Sequence, residues 1–311
     1  MLSMQYIGLS VAFSVMVLMN FIGNSMVILV VLLNKSMRTP MNRLILNLAL
    51  ADMVVALFMA IQFVIGPTYQ HPSGTTGSLL CKFVTGGTMA WTAATVSVCN
   101  LVAISIERYQ AVVQPFSSLS NLTNRKLKFI IPICWFAGFV WNAPLFVSVT
   151  YRKDLGTCGE QWSHALLPIA YSFGWIIVAG VIPTTIMSYI YSKVVYKLWF
   201  DMTPALKSIS KKIILSRKKA SVAVIAVSII YVICWVPVLL MYFVAQSSPN
   251  LVVHSPVHQI LIVLAMFNSS INPVVYSFTS ARFRQHLIRL LHCKSSTRRP
   301  LRGDMTMTRS K

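Results

Sequence analysis

The chain has 311 residues, of which 56% are hydrophobic and only 11% are charged, yet 27 Lys and Arg outnumber 6 Asp and Glu for a formal charge of +21. This composition is too apolar for a disordered chain and holds less than half of the roughly 25% charged residues of an ordinary soluble protein. Long uncharged stretches also argue against a nucleic-acid-binding surface, which leaves an integral membrane protein.

Seven apolar stretches follow one another along the chain, each about long enough to cross a bilayer as a helix. They cover residues 8–33, 42–65, 82–109, 129–149, 166–198, 212–245 and 257–279, with polar loops such as 66–77 and 247–256 between them. Several contain prolines, namely Pro132, Pro144, Pro183, Pro237 and Pro273. Membrane helices tolerate proline because neighbouring helices satisfy the freed carbonyls. The sequence predicts an all-α bundle of seven transmembrane helices.

The basic residues concentrate in alternate connections. The connections after the first, third and fifth stretches, together with the tail after the seventh, hold 24 of the 27, and Lys82, Arg152 and Lys153 lie on the other side. The positive-inside rule therefore predicts an extracellular N-terminus and a cytoplasmic C-terminus. We expect no cleavable signal peptide, because the apolar run after residues 1–7 is too long.

A short amphipathic helix is expected after the seventh stretch. Between Arg282 and Leu291 the apolar residues Phe283, Leu287 and Leu290 recur at helical spacing among basic residues. The expected organisation is an extracellular N-terminus at 1–7, a transmembrane domain at 8–279, an amphipathic interfacial helix at 280–292 and a basic cytoplasmic tail at 293–311. Cys293 is a candidate palmitoylation site, with a plain free thiol as the alternative.

Few ionisable groups lie inside the apolar stretches, and such groups are functional candidates. Asp52 lies in the middle of the second stretch, and Glu107 and Arg108 close the third. No Lys or Arg lies at the depth of Asp52. A buried carboxylate needs a cation, a proton or several donors, so a small hard cation or protonation would suit it.

Motifs along all seven stretches resemble those of class A (rhodopsin-like) G protein-coupled receptors, and the resemblance covers nearly the whole chain. A lone Glu-Arg-Tyr is a weak signal, whereas seven elements in order are specific. The matching elements, one per stretch, are Gly23-Asn24, the Leu-Ala-x-x-Asp type motif ending at Asp52, Glu107-Arg108-Tyr109, Trp135, Pro183 with Tyr191, Cys234-Trp235-Val236-Pro237, and Asn272-Pro273-Val274-Val275-Tyr276.

The resemblance implies a switch at Arg108, held by Glu107 at rest and released to contact a heterotrimeric G protein. The alternative is a surface ion pair that contributes little to stability. Tyr191 and Tyr276 match tyrosines that bridge toward this arginine in the active state, and Phe116 matches a loop residue that inserts into the G protein. Many relatives also pair the arginine with an acid at the foot of the sixth helix. Here that foot reads Arg217-Lys218-Lys219, so higher basal activity is a hypothesis.

Two further clusters match the family. Asn24, Asp52, Ser97, Trp235, Asn268 and Asn272 match a central polar cluster that binds sodium in relatives, and a purely structural hydrogen-bond network is the alternative. Apart from this allosteric Na⁺, no cofactor is expected. Trp235 and Pro237 match the bend that transmits ligand contact to an outward movement of the sixth helix, with a bulky core tryptophan as the alternative. Tyr231 stands where many relatives carry Phe.

Cys81 and Cys158 are the two exterior cysteines among six, and exterior pairs oxidise. They resemble the family's disulfide between the top of the third helix and the second exterior loop, with free thiols as the alternative. Cys81 lies two residues further from Arg108 than is usual in the family. We therefore expect a bulge or a two-residue insertion in the upper third helix.

The ligand is harder to predict. No acid lies in the upper third stretch, where amine receptors place an Asp and this chain has Ala90, which argues against a monoamine. Met266 stands at the position where opsins place their retinal-binding lysine, which argues against a photopigment. The second exterior loop is able to form a strand pair, and the pattern most resembles neuropeptide receptors of the galanin, tachykinin or RFamide-like type. Candidate ligand-pocket residues, for which lipid or core packing is equally open, are Gln62, Trp91, Tyr242, His258 and Ile262.

The sequence thus predicts a plasma-membrane receptor, not an enzyme, that binds an extracellular peptide and activates a heterotrimeric G protein. Arrestin, receptor kinases and membrane lipid are the other expected partners, and nucleic acid is not. The alternatives are a receptor of the same fold for a non-peptide small molecule or lipid and, with less support, a transporter or enzyme.

Overall fold

The computed structural model describes residues 4–115, 122–154, 156–200, 211–248 and 256–291. Within these ranges, seven helices are long and apolar enough to cross a membrane, which confirms the predicted seven-helix bundle. The helices are α1 (Met4–Leu33), α2 (Pro40–Ile65), α3 (Gly74–Val113), α4 (Asn124–Ser148), α5 (Leu166–Phe200), α6 (Lys211–Ser247), α7 (Pro256–Thr279) and the shorter α8 (Ala281–Leu291).

The outer surface of the bundle is apolar and its interior is partly polar. Large apolar side chains such as Phe136, Val147 and Phe278 are at least 70% exposed, while Asn24 and Asp52 are almost completely buried. A water-soluble helical protein has the reverse distribution, because its apolar side chains leave water. The distribution therefore fits a bundle whose outer face contacts lipid.

Local sequence explains several helix starts and close approaches. The Thr39 hydroxyl caps α2 by accepting a hydrogen bond from the backbone N–H of Asn42 at 3.3 Å. Pro40 takes the first helical position, where its missing N–H leaves no helical hydrogen bond unmade. Gly23 of α1 packs so closely on Pro273 of α7 that an added Cβ would lie 2.9 Å from the proline ring. These features set how α1, α2 and α7 pack together.

Helix α3 begins earlier than predicted and is irregular near its start. Residues 74–80 are helical, although 66–77 was expected to be a loop, and Cys81–Thr85 forms a π-helical turn. The helical hydrogen bonding is interrupted at Gly86-Gly87, where Gly87 has a φ of +79° that glycine tolerates. A π turn carries one residue more per hydrogen bond than an α turn. This distortion is the bulge expected from the long spacing between Cys81 and Arg108.

Helix α5 also contains a π turn, Ile176–Val181, which ends two residues before Pro183. Proline has no N–H, so the carbonyl of Ala179, four residues earlier, lacks its ordinary helical donor. The hydroxyl of Tyr231 on α6 donates to this carbonyl. A tyrosine at the position where many relatives carry Phe therefore satisfies a buried backbone group and joins α5 to α6.

A β-hairpin lies between α4 and α5, as the sequence predicted. Strands β1 (Val149–Arg152) and β2 (Thr157–Glu160) pair antiparallel, with Tyr151 opposite Cys158. The disulfide predicted between Cys81 and Cys158 is present, with the two Cα atoms 5.4 Å apart. The hairpin is thereby fixed to the start of α3.

Candidate functional site

A cavity of about 260 Å³ lies at the disulfide end of the bundle. The hairpin contributes Val149, Cys158, Gly159 and Glu160 to its wall, and helices contribute the rest. All five candidate pocket residues from the sequence line it: Gln62, Trp91, Tyr242, His258 and Ile262. A concave, mostly apolar space with a few polar groups is the usual form of a ligand site.

Three tryptophans from three helices form the aromatic part of the cavity wall. Trp91 of α3 meets Trp175 of α5 and Trp235 of α6, each edge-on with ring centroids 6.1 Å apart. Trp235 in turn lies 5.9 Å from the ring of Tyr231. A group that enters the cavity would therefore touch the helix that also bears Pro237.

Glu160 is the acidic group of this cavity. Within the part of the chain that the structure describes, no other acidic side chain lines it. Its Oε2 accepts from Trp162 Nε1 at 2.8 Å, from Gln246 Nε2 at 3.0 Å and from the Tyr242 hydroxyl at 3.1 Å, and its Oε1 accepts from the same hydroxyl at 3.0 Å. Burial raises the pKa of Glu160 above its ordinary value, and these hydrogen bonds offset part of that shift.

Two other polar atoms in the cavity wall are buried and have no hydrogen-bond partner among the described residues. They are Gln62 Oε1, an acceptor, and Trp235 Nε1, a donor. A buried polar atom without a partner costs free energy. Both atoms are thus suited to a ligand that brings the missing groups.

Sequence reasoning missed Glu160 and Trp175 as cavity residues. The search for a counter-ion considered the upper third helix, whereas the acid comes from the hairpin. A usable signal existed, because Glu160 lies two residues after Cys158 and alternate residues of a strand share a face. The side of β2 that carries Cys158 points toward the bundle, so the side chain of Glu160 does as well. The upper third helix supplies no acid to the cavity, as expected, but the hairpin supplies Glu160.

Asp52 lies at the centre of the bundle and is completely buried. Its Oδ1 accepts from Ser97 Oγ at 2.9 Å and its Oδ2 from Asn272 Nδ2 at 2.8 Å. The amide oxygens of Asn268 and Asn272 are buried with no hydrogen-bond partner among the described residues. A carboxylate with unpaired amide oxygens nearby has the ligand chemistry of a small hard cation.

Asn24 of the predicted polar cluster makes other contacts. Its Nδ2 donates to Asn20 and, at 3.2 Å, to the backbone carbonyl of Ser269, so it joins α1 to α7. A separate chain of hydrogen bonds runs from Trp135 Nε1 to Asn47 and from Asn47 to Asn100. These contacts hold α2, α3 and α4 together beside the Asp52 centre.

A second cavity, of about 230 Å³, lies at the other end of the bundle. Arg108 and Arg282 line it together with the buried Tyr276. Arg108 Nε donates to Glu107 Oε2 at 2.6 Å, and both side chains are largely buried. Tyr109 packs against the core nearby. The arginine of the Glu-Arg-Tyr motif therefore lines this cavity while paired with its neighbour on the same helix.

Tyr191 does not reach Arg108 in this structure. Its hydroxyl donates to Ser105 Oγ at 3.1 Å and shares a hydrogen bond of 2.9 Å with Ser228 Oγ.

At the foot of α6, Arg217 Nη1 is buried and unpaired among the described residues, and Lys218 Nζ lies 5.0 Å from the ring centre of Trp199 on α5. The foot of α6 thus contacts α5 through a cation–π interaction. Phe116 and Cys293 lie outside the described residues.

The sequence comparison now gives the class of protein. Residues 23–276 match the family model "7 transmembrane receptor (rhodopsin family)". This match covers most of the chain, so the chain belongs to the rhodopsin family of seven-transmembrane receptors. The family consists of receptors and not of enzymes.

Several similar curated proteins are receptors for neuropeptides by name. The pyroglutamylated RF-amide peptide receptor of Rattus norvegicus is 27% identical over 287 residues, which are 86% of this chain and 65% of that receptor. The galanin receptor type 1 of Rattus norvegicus is 29% identical, over 94% of this chain and 84% of that receptor. Neuropeptide receptor 22 of Caenorhabditis elegans is 28% identical, over 85% and 64%. This chain spans just under two thirds of the length of the first and third.

Proposed function

We propose that the chain is a receptor that binds a peptide in the cavity at the disulfide end and activates a heterotrimeric G protein at the opposite end. The observation that carries this proposal is the pair of cavities at the two ends of one bundle, with Trp235 in the wall of the first and Arg108 in the wall of the second. The neuropeptide receptors among its relatives support a peptide as the ligand.

The orientation proposed for the chain is an extracellular N-terminus and a cytoplasmic C-terminus in the plasma membrane. The distribution of basic residues supports it, and so does the disulfide, because disulfides persist outside the cytosol. Residues 8–279 are then the transmembrane domain. Residues 280–292 are then the interfacial segment, and within it α8 (Ala281–Leu291) lies at the inner membrane surface, with Phe283 buried and Arg284 exposed.

Activation proceeds by an outward movement of the foot of α6 in this proposal. The ligand contacts Trp235, the helix bends at Pro237, and Arg108 leaves Glu107 to contact the G protein. Four residues rearrange around Arg108, namely Tyr191, Asn272, Pro273 and Tyr276. Phe116 contributes a loop contact to the G protein. Arrestin and receptor kinases act on the same face, and Cys293 carries palmitate.

A sodium ion at Asp52 is proposed as the allosteric regulator. Ser97, Asn268 and Asn272 would supply oxygen ligands beside the carboxylate, and two of these oxygens have no other partner among the described residues. A sodium ion would favour the resting arrangement of α2, α3 and α7.

A non-peptide ligand is the second candidate. A volume of about 260 Å³ is just below the roughly 300–1,000 Å³ of typical ligand pockets, so it suits a compact ligand, and the wall is mostly apolar. A small molecule or lipid would therefore fit the same cavity without contacting the outer part of the hairpin.

The test is nucleotide exchange on purified G proteins by membranes that contain the receptor. A panel of RF-amide, galanin, allatostatin-A and tachykinin peptides is compared with a panel of lipids and small apolar amines, and Arg108→Ala serves as the uncoupled control. A peptide response that Arg108→Ala removes at equal surface expression supports the proposal. A response to the second panel alone would favour the non-peptide candidate.

A further inference from the structure

Glu160 has an unusual position for an acid in this chain. The whole sequence holds six acidic residues against 27 basic ones. Asp154, the other acid of the hairpin, is mostly exposed and pairs with Arg152 at 2.7 Å. Glu160 instead lines the apolar cavity, where no described cation contacts it.

The surrounding residues hold the carboxylate in one place. Trp162 fixes it from the hairpin side, and Tyr242 and Gln246 fix it from α6. The two oxygens are not equally occupied, because Oε2 accepts three hydrogen bonds while Oε1 accepts only from Tyr242, whose one proton is shared. An ionised carboxylate offers about four lone-pair sites. Oε1 therefore retains capacity for a further donor.

Neutral donors compensate a buried carboxylate only in part. The pKa of Glu160 remains raised, because the cost of burial exceeds the gain from its three neutral partners. A cation with its own N–H groups would supply both the missing charge and the missing donor. The carboxylate is held in place by the protein but lacks its charge partner.

We propose that Glu160 is the binding site for a cationic group of the ligand, a guanidinium or an ammonium. Gln62 Oε1, an acceptor in the same wall that no described residue pairs with, takes a further N–H of the ligand, and the tryptophans of α3, α5 and α6 take an adjacent apolar part. This inference rests on the proposed function, since it assigns the ligand to the cavity at the disulfide end. It names the chemistry of recognition and adds a basic residue or an amino terminus to the expected peptide.

A purely structural role for Glu160 is the competing explanation. In that case the carboxylate serves to hold the hairpin against α6, and its charge is irrelevant to the ligand. Glu160→Gln separates the two, because Gln keeps the shape and one acceptor oxygen but removes the charge. Asp154→Asn is the matched control, since it neutralises an exposed acid of the same hairpin.

The first measurement needs no known ligand. Thermal unfolding of the purified receptor is followed with Nα-acetyl-arginine amide and with its neutral citrulline counterpart at millimolar concentration. We expect the arginine probe to raise the midpoint more than the citrulline probe in the wild type and in Asp154→Asn, and to lose this advantage in Glu160→Gln. Equal shifts for the two probes, no shift with either, or an unchanged advantage in Glu160→Gln would each overturn the inference.

The second measurement changes the ligand and leaves the wild-type receptor intact, so it does not depend on the folding of a variant. Each Arg or Lys of a peptide active in the panel is replaced by citrulline or acetyl-lysine, and a free amino terminus is acetylated. One replacement should lower potency roughly 10- to 100-fold, the range of a hydrogen bond to a charged group, and should have little effect in Glu160→Gln. Equal losses in both receptors would contradict the inference. A panel without any active peptide would count against the peptide proposal, while the arginine probe still decides the role of Glu160.

Discussion

The two ends of the bundle carry opposite charge in cavities of similar size. The cavity at the disulfide end is aromatic and contains the acid Glu160, held by three neutral donors. The cavity at the other end contains Arg108 and Arg282, and Arg217 at the foot of α6 has a buried nitrogen with no partner in the described part of the chain. One fixed acid suits the selection of a single group on a ligand, whereas several cations suit a broad acidic surface of a partner protein. The net positive charge of the chain therefore agrees with an acidic partner at the Arg108 end, but it gives no indication of Glu160 at the disulfide end.

The largest effect is expected from the hairpin that covers the first cavity. Cys158→Ala removes the covalent link to α3 and frees Glu160 from its fixed position. We predict loss of the ligand response, at least 100-fold in potency, because removal of a native disulfide typically costs about 2–5 kcal/mol of stability. Nucleotide exchange at matched surface expression measures it. Cys99→Ala, which removes a thiol away from the hairpin, should respond as the wild type does, and a normal response in Cys158→Ala would show that the hairpin is dispensable.

The centre between the two ends should show a salt effect. In the wild type, agonist affinity should be several-fold lower in sodium than in potassium at equal ionic strength, because sodium favours the resting state. Asp52→Asn removes the charge while keeping a side chain of the same shape, and this difference should disappear. Competition binding in the two salts measures it. A sodium effect that persists in Asp52→Asn would reject regulation at this carboxylate.

At the Arg108 end, an added acid should lower basal activity. Arg217→Glu supplies the foot of α6 with the acid that many relatives have, and a new pair with Arg108 would hold α6 inward. We predict a fall of a few-fold in nucleotide exchange without ligand. Lys219→Glu makes the same change of charge on the exposed side of the same turn and serves as the control. Equal basal activity in Arg217→Glu and the wild type would contradict the prediction.

The smallest effect is expected at the junction of α5 and α6. Tyr231→Phe leaves the Ala179 carbonyl without the hydroxyl that satisfies it, and an unsatisfied buried group costs about 1–3 kcal/mol. We predict a lower midpoint of thermal unfolding for the purified receptor. Tyr189→Phe removes a hydroxyl from an exposed tyrosine of α5 and should change little. Equal midpoints for Tyr231→Phe and the wild type would show that another group satisfies the carbonyl.

The sequence predicted the helices better than the cavity. Uncharged runs of about 20 residues identify membrane helices directly, because the bilayer leaves few other solutions. The disulfide between Cys81 and Cys158 was predicted by the resemblance, and all five candidate pocket residues line one cavity.

What the sequence could not show depends on contacts between distant segments. The start of α3 at Gly74 was missed, because the polar residues at 74–78 are typical of a loop and the π turn has no clear sequence signal. The spacing of Glu160 from Cys158 indicated its face, but its partners on α6, Tyr242 and Gln246, lie more than 80 residues later in the chain and could not be predicted. Tyr231 was noted as a departure from the family, but its partner, the carbonyl freed by Pro183, became apparent only in the structure.

Reciprocal binding measures whether the two ends of the bundle act as one coupled system. The affinity of an active peptide for the purified receptor is measured with and without a nucleotide-free G protein, in the wild type and in Arg108→Ala. We expect tighter peptide binding with the G protein in the wild type, by roughly 5- to 150-fold, and no such gain in Arg108→Ala. Equal peptide affinity with and without the G protein in the wild type would contradict it.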